Sequence, residues 1–319
     1  MRRFVVRRIL QAIPTFLGIT LLAFLLMRLA PGDPLTMMVA GATDLSAEDV
    51  DALRRAHGLD RPYVEQYVTW LGRAATGDFG QSLLYNRPVG QMIGAALPNT
   101  LQLSACAMLV ALLVGVPLGA AAARWRDTPI DHLVRVISVA GHAVPPFWLG
   151  LLFILTMAVQ ARLFPVGGML SIGKAEWDVG DRLLHLIGPV LALSLGGVAN
   201  YSRYVRAELL EVLGQDLIRT ARAKGLRERA VIWRHAARNA LLPMITALGG
   251  LLAYLVSGAV VVEQVFAWPG MGRLTYEAAR SKDYPIVMGV VVVSSLLLLT
   301  SYLLRDVAYA AADPRVRHG

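Results

Sequence analysis

Charged residues are scarce in this sequence. Of its 319 residues only 17% are Asp, Glu, Lys or Arg, whereas 56% are hydrophobic, and the mean hydropathy is +0.54. Soluble globular domains carry about 25% charged residues, so the composition excludes that class. The few charges are also clustered, which leaves long uncharged runs between them. This pattern predicts a chain whose helices lie in a lipid bilayer.

Cysteine is almost absent, and the common catalytic motifs are missing. The single cysteine, Cys106, excludes a disulfide within the chain. No G-x-x-x-x-G-K-[ST] motif is present, so the chain has no P-loop for a nucleotide. G-x-S-x-G and H-E-x-x-H are absent, and the six histidines are scattered. We therefore expect no enzymatic activity, no cofactor and no metal site in this chain.

Six uncharged runs are long enough to cross a membrane. Each has about the 20 residues that a helix needs to span a hydrocarbon layer of about 30 Å. The runs are Ile9–Met27, Thr100–Ala123, Val136–Ala161, Leu183–Ser202, Asn239–Val262 and Tyr284–Leu304. They predict an all-α integral membrane protein with six transmembrane helices. The first run follows arginines, as in a signal peptide, but no A-x-A cleavage site follows it, so we expect an uncleaved first helix.

None of the six runs contains an acidic residue. Ion-coupled carriers usually keep ionisable groups at membrane depth in spite of their cost. His142 and His185 do lie in the third and fourth runs, but a lone histidine on an apolar helix is more often packed and hydrogen-bonded than a proton relay. An ion-coupled secondary transporter is therefore disfavoured, and the energy for any transport should come from a separate protein.

The distribution of Lys and Arg predicts the orientation. With both termini in the cytoplasm, the internal segments hold 19 of the 31 Lys and Arg residues and the external segments have a small excess of acids. Cytoplasmic loops carry this kind of excess. The net charge of +9 thus reflects the orientation in the membrane; membrane lipid is an expected partner, and a nucleic acid is not.

The runs divide the chain into four parts. Residues 1–30 form an N-terminal transmembrane helix and residues 31–98 a small external, periplasmic helical segment. Residues 99–305 are expected to form a five-helix membrane core that includes a cytoplasmic loop, 203–242, and residues 306–319 a cytoplasmic tail. In the external segment, helical patterns cover Val50–Ala56 and Tyr63–Ala75, and GDFG at 77–80 predicts a turn.

The cytoplasmic loop contains the basic octet RTARAKGL at 219–226. A short helix is predicted over Leu217–Lys224, and Gly225 is its expected C-terminal stop. Its cations could meet acidic groups or phosphates of a partner. They could equally form a basic loop that only sets the membrane orientation. The residues alone leave both interpretations open.

The whole chain resembles a known transporter family. The segment LLEVLGQDLIRTARAKGLRERAVIWRHAARNALLPMIT at 209–246 is similar to the cytoplasmic loop of the dipeptide/oligopeptide/nickel branch of ABC importer permeases. Further similar segments are APGDP at 30–34, GLDRPYVEQY at 58–67, GDFGQS at 77–82, PNTLQL at 98–103, VVEQVFAWPGMGRL at 261–274, RSKDYPIV at 280–287 and DPRVRH at 313–318. The sequence most resembles the first of the two permeases of dipeptide systems.

The resemblance implies a subunit of an ATP-driven importer of the bacterial cytoplasmic membrane, which moves di- or oligopeptides by alternating access. The implied partners are a second, related permease, cytoplasmic subunits that bind ATP and Mg, and a periplasmic or lipid-anchored solute-binding protein. A nickel or glutathione importer of the same family is the alternative cargo assignment. An ion-coupled secondary transporter is the alternative from another class.

The resemblance also implies the site. In this family the loop forms a coupling helix that docks in a cleft of the ATPase. The matching residues are Arg219, Thr220, Ala221, Arg222, Ala223, Lys224, Gly225 and Leu226. The chain departs from the wider superfamily, which has Glu-Ala-Ala where this chain has Arg219-Thr220-Ala221, and Asp313 stands where Asn is usual. The external segment 162–182 is shorter than in many dipeptide members, which weakens the assignment to dipeptides.

A second site hypothesis concerns the inner end of the fourth run. Asn200, Tyr201 and Ser202 are candidates for the translocation path, with helix packing and capping as the alternative. Gly115 and Gly119 form a stripe of small residues at fourfold spacing, which favours close helix packing in lipid.

Overall fold

The described part of the chain is mainly helical. The computed structural model describes residues 2–29, 47–56, 58–174, 178–225 and 259–312. Within those ranges there is no strand, only an isolated bridge between Gln81 and Pro88. The helices are α1 Arg2–Leu29, α2 Ala47–Ala56, α3 Tyr63–Ala75, α4 Val89–Arg124, α5 Pro129–Ala143, α6 Pro146–Phe153, α7 Val179–Leu213, α8 Asp216–Ala223, α9 Met271–Arg280 and α10 Tyr284–Ala312. The all-α class is confirmed.

Four of these helices are long and apolar enough to cross a membrane. They cover Val5–Leu29, Val89–Arg124, Val179–Leu213 and Tyr284–Val307, and they correspond to the first, second, fourth and sixth predicted spans. Of the fifth predicted span, residues 239–258 lie outside the described residues, and residues 259–262 are helical. The described chain therefore holds four such helices, or five when a bent pair is counted as one span.

The bent pair replaces the third predicted span. A continuous helix over Val136–Ala161 is wrong, because α5 and α6 meet at an angle of 97°. Pro145 and Pro146 cause the break, since neither has an N–H for a helical hydrogen bond. The residue before a proline also avoids the helical region, and Val144 is extended, with φ −87° and ψ 121°. The chain continues beyond α6 as a π-helical turn, Ile154–Gln160.

The described chain divides into two compact units. Unit 1 contains Leu101–Trp268 with both chain ends, Met1–Val5 and Thr300–Gly319. Its core is formed mainly by α7 and residues 101–124 of α4, and it extends to Phe266 and Trp268. Helix α7 contributes the most buried residues because its apolar and small side chains face neighbouring helices on several sides.

Small residues let α4 and α7 touch through their backbones in unit 1. A Cβ atom placed on Gly119 would lie 2.5 Å from the carbonyl oxygen of Ser202, and one on Gly115 would lie 2.9 Å from that of Val198. Neither distance is possible for a real side chain, so both positions require glycine. The packing role predicted for this stripe is confirmed.

Unit 2 contains Val6–Thr100 and Pro269–Leu299. Its core includes Val89 and Ile93 of α4, Met271 of α9, and Ile286 and Val290 of α10. Asp283 is fully buried beside this core, where its carboxylate accepts hydrogen bonds from the Ser82 hydroxyl at 2.5 Å and the Leu84 N–H at 3.1 Å. These bonds satisfy a charge that burial would otherwise destabilise.

The helices predicted for the external segment are present in unit 2. Helix α2 covers Ala47–Ala56, and α3 has the predicted bounds, Tyr63–Ala75. Helix α3 packs on α1, where the Tyr67 and Thr20 hydroxyls lie 2.9 Å apart. Gly77 and Gly80 adopt φ values of +83° and +82°, which confirms the turn predicted from GDFG.

Candidate functional site

The predicted short cytoplasmic helix is present as α8, Asp216–Ala223. Helix α7 ends at Leu213, and Gly214 and Gln215 form a turn before the new helix. The Gln215 carbonyl accepts the first hydrogen bonds of α8, from the N–H groups of Ile218 at 3.0 Å and Arg219 at 3.3 Å. The observed bounds differ by one residue at each end from the predicted Leu217–Lys224.

One buried side chain fixes α8 to the rest of unit 1. Ile218 is fully buried and belongs to the same apolar core as Leu209 and Val212 of α7. Burial of an isoleucine side chain contributes about 1.5–3 kcal/mol. Helix α8 is therefore held against the end of α7 by apolar packing as well as by the short turn that joins them.

The opposite side of α8 is exposed and carries cations. Arg219 exposes 79% of its side chain, and its ion pair with Asp216, 3.3 Å long, is equally exposed and so contributes little. Thr220, Ala223 and Lys224 are also exposed. The buried Ile218 and the exposed cations give the helix one anchored side and one side suited to a partner with acidic groups.

Gly225 ends α8 with a left-handed backbone. Its φ is +75°, and a Cβ atom built on it would meet nothing within 4 Å. Glycine is thus favoured by the backbone conformation and not by a close neighbour in this chain. Ala221 and Arg222 also lie on α8, whereas Leu226 and the rest of the predicted loop to residue 242 lie outside the described residues.

An ion pair between α5 and α7 lies in the same unit. Asp131 is fully buried, and Arg206 of α7 donates two hydrogen bonds to its carboxylate, from Nε at 2.6 Å and Nη2 at 2.8 Å. Arg135 approaches the same carboxylate at 3.8 Å, and the Asp127 N–H donates to it at 3.0 Å. This bidentate geometry ties the first turn of α5 to α7.

This pair was not predicted from the sequence. Arg206 is 75 residues from Asp131, and nothing in the sequence shows that they meet. One signal was available, because Asp131 lies four residues before Arg135 in a segment that was predicted to be cytoplasmic. That spacing places both side chains on one face of a helix.

Further contacts join α5 and α7 along their lengths. The hydroxyls of Ser138 and Ser202 lie 2.8 Å apart, and both side chains are buried. A Cβ atom on Gly141 would lie 2.9 Å from the Cβ of Ala199. Because these contacts continue from the Asp131–Arg206 pair, α5 and α7 form one packed pair of helices.

The three residues predicted for the translocation path have different surroundings. Ser202 is buried against α5, and Tyr201 is fully buried beside Gly115 of α4. Asn200 is exposed. The structure therefore places Tyr201 and Ser202 in helix packing, and only Asn200 is accessible. A role of the three residues in translocation stays a prediction.

The two histidines of the predicted spans do not form a metal site. The Nδ1 atom of His185 lies 2.8 Å from the Asp181 carbonyl oxygen, and its side chain is buried, as expected for a packed and hydrogen-bonded histidine. His142 is exposed. Within the described ranges, no three His, Cys, Asp or Glu residues are grouped so that they could hold a metal ion.

Comparison with protein families gives two consecutive matches. Residues 1–104 match the N-terminal part of binding-protein-dependent transport system membrane components. Residues 115–318 match the family described as binding-protein-dependent transport system inner membrane component. Together the two matches cover almost the whole chain.

Individual relatives match over full length. The chain is 41% identical to an oligopeptide transport system permease protein of Bacillus subtilis (strain 168), over 100% of both chains. It is 37% identical to a dipeptide transport system permease protein of Escherichia coli (strain K12), over 100% of this chain and 99% of the relative. A di/tripeptide transport system permease protein of Pseudomonas aeruginosa (strain UCBPP-PA14) is 38% identical with the same coverage.

A solved structure supports the fold. An inward-facing conformation of the MetNI methionine ABC transporter matches with a TM-score of 0.54 and 18% identity, over 70% of this chain and 97% of that chain. At this identity the likeness concerns the fold alone. The apolar helices and the family matches together indicate a multi-pass protein of the inner membrane. The chain belongs to the family of binding-protein-dependent transport system inner membrane components.

Proposed function

We propose that this chain is a permease subunit of an ATP-driven importer that moves di- or oligopeptides across the cytoplasmic membrane by alternating access. The observation that carries the proposal is the full-length similarity to three peptide permeases, at 37–41% identity. The exposed cationic helix α8 supports it, because a permease that receives its energy from another subunit needs a surface for that subunit.

The proposed partners supply what the sequence lacks. The chain has no P-loop, so ATP and Mg bind to separate cytoplasmic ATPase subunits. A second, related permease completes the pore as a heterodimer, and a periplasmic or lipid-anchored solute-binding protein delivers the cargo. This chain contributes no catalytic residue and holds no cofactor.

The proposed topology has six spans, with the bent pair of α5 and α6 as the third, and both termini in the cytoplasm. Residues 1–30 form the first membrane helix and residues 31–98 a periplasmic segment, which contains α2 and α3. Residues 99–305 form the five-helix core, and residues 306–319 the cytoplasmic tail. The cytoplasmic loop 203–242 presents Arg219 to Leu226 to the ATPase.

The contacts within unit 1 support a lever mechanism. When the ATPase subunits close on ATP, they move α8, and the buried Ile218 carries α7 with it. The Asp131–Arg206 pair and the Ser138–Ser202 contact carry α5 along with α7. Because packed helices move as rigid bodies, a displacement at the cytoplasmic face reorients helices in the membrane without ionisable relays.

The cargo of the importer is tested by uptake. The chain, its second permease, its ATPases and its binding protein are reconstituted in liposomes and supplied with a labelled di- or tripeptide, glutathione or Ni²⁺. We expect ATP-dependent accumulation of the peptide alone. Accumulation of Ni²⁺ or glutathione without peptide would instead establish the alternative cargo. Accumulation driven by an ion gradient, without ATPase subunits, would contradict the importer class altogether.

The coupling role of α8 is tested by Gly225→Asp. A Cβ atom at this position meets nothing within 4 Å, so apart from strain in the left-handed backbone the substitution should obstruct only the docking of a partner. We expect normal insertion in the membrane but at least a tenfold loss of peptide uptake, because a bulky acid now stands at the end of the docking helix.

A matched control is Gly173→Asp. Gly173 has a similar backbone, with φ +84°, and open space around it, but it lies in the loop between α6 and α7. The Gly173→Asp variant should keep normal peptide uptake, since it shares only the backbone strain with Gly225→Asp. Equal uptake by both variants would remove Gly225 and the end of α8 from the coupling surface.

The Asp131–Arg206 pair is tested by a double-mutant cycle with Asp131→Asn and Arg206→Gln. Removing one partner of a buried ion pair costs about 3 kcal/mol, because the other charge is left unpaired. We expect each single variant to lower the thermal unfolding midpoint in detergent and to reduce uptake. The double variant should lose less stability than the sum of the two.

Asp127→Asn is the control for this cycle. Asp127 pairs with Arg126 at 3.2 Å, but both side chains are at least two-thirds exposed, so this pair contributes little. Additive effects of the Asp131 and Arg206 substitutions, or an equal loss in the control, would show that the buried pair does not join α5 to α7.

A further inference from the structure

Unit 2 contains an open cavity that the importer function does not use. Its volume is about 570 Å³, and it lies at the C-terminal end of α1, bordered by α3, by the turn after α3 and by the start of α10. Four of its lining residues are arginines, Arg28, Arg55, Arg61 and Arg73, and the acid among them is Asp78. The described wall of the cavity is therefore strongly positive.

Two of the four arginines form ion pairs whose side chains are about half exposed. Arg73 pairs with Asp78 at 2.8 Å, and the pKa of that carboxyl is lowered because it accepts hydrogen bonds from the Gly80 N–H and from Arg73. Arg61 pairs with Glu65 at 3.0 Å. Exposed pairs of this kind contribute little. With four arginines and one acid among its described lining residues, the wall favours an anionic ligand.

Arg28 stacks on aromatic rings at the wall of the cavity. Its guanidinium lies over the ring of Phe24, 5.3 Å from the centroid, and 5.6 Å from the centroid of Tyr284. Such stacking holds the guanidinium in a defined orientation. The planar guanidinium of arginine can also donate two hydrogen bonds to two oxygens of one phosphate.

Two further side chains of the wall have unused hydrogen-bonding groups. Gln66 is nine-tenths buried, and its amide nitrogen donates to the carbonyl oxygens of Arg61 at 2.6 Å and Leu59 at 3.3 Å. Its Oε1 atom and the Trp70 Nε1 atom have no hydrogen-bond partner among the described residues. Buried polar groups are nearly always paired, so an acceptor and a donor without partners are typical of a binding site that is completed by a ligand.

The helix that leads to the cavity indicates what carries the anion. Leu26 and Leu29 of α1 expose 59% and 79% of their surfaces, and leucines are exposed along most of the helix. In a membrane-spanning helix such a face lies against acyl chains. Aromatic and arginine side chains near the end of such a helix are typical of the membrane–water interface. A ligand with an acidic head and apolar tails matches both the arginines of the cavity wall and the exposed leucines of α1, whereas a peptide matches only the arginines.

We propose that this cavity binds the headgroup of an anionic phospholipid. The phosphate contacts the arginines of the wall, the polar part of the headgroup reaches Gln66 and Trp70, and the acyl chains follow the exposed leucines of α1. The site is independent of the cargo and of the coupling helix.

The test compares lipid binding by variants of the full chain. Native mass spectrometry of the purified chain is used to titrate phosphatidylglycerol against the double variant Arg55→Gln/Arg61→Gln. Each basic side chain near a membrane surface contributes about a fivefold gain in affinity for an anionic lipid, so the pair should contribute about twenty-fivefold. Arg54→Gln is the control, because Arg54 pairs with Asp51 and does not line the cavity; its affinity should be unchanged.

Competition between ligands identifies which molecule supplies the anionic group. We expect phosphatidylcholine, inorganic phosphate and a tripeptide each to leave phosphatidylglycerol bound to the unmodified chain. Trp70→Phe removes the indole N–H and keeps an aromatic ring. It should weaken the binding of phosphatidylglycerol severalfold without lowering the thermal midpoint measured in the absence of lipid. Equal retention of phosphatidylcholine, displacement by the tripeptide or by phosphate, or unchanged affinity in the double variant would overturn the proposal.

Discussion

The burial of Ile218 is the contact on which the coupling account depends. Helix α8 has only eight residues, and isolated helices of that length are not stable in water. It is held because Ile218 enters the apolar core that α7 shares with α4. Without this anchor the cations on the opposite side would belong to a loose loop, and a force applied to them would not reach the membrane helices.

Contacts between backbones and between buried polar groups extend this rigidity into the membrane part. Gly115 and Gly119 bring α4 into contact with the backbone of α7, where any side chain would collide. On another side of α7, Arg206 binds the buried carboxylate of Asp131 and Ser202 contacts Ser138. Helix α7 is thus the central element of unit 1. A helix fixed on two sides transmits a displacement instead of absorbing it in its own side chains.

The sequence predicted the local features of this architecture well. Uncharged runs predicted membrane helices because burial in lipid requires about 20 apolar residues, and Gly225 predicted the end of α8 because only glycine adopts its backbone readily. The break at Val144–Pro145 could have been predicted from the two prolines, but hydropathy alone merges α5 and α6. The Asp131–Arg206 pair could not be predicted, since it depends on how helices far apart in sequence pack. Asn200, Tyr201 and Ser202 were grouped as one candidate site because they are adjacent in sequence. In the structure they have different surroundings, because adjacent residues of a helix face different neighbours.

The central claim is that α8 and α7 move as one rigid body during the ATPase cycle. It is tested most directly by double electron–electron resonance in the assembled importer, with Cys106→Ser as background and spin labels at Arg203→Cys on α7 and Asp216→Cys on α8. Both labelled positions are exposed. The account predicts the same narrow distance distribution without nucleotide and in the ATP-trapped state. A shifted or broadened distribution on ATP binding would contradict it.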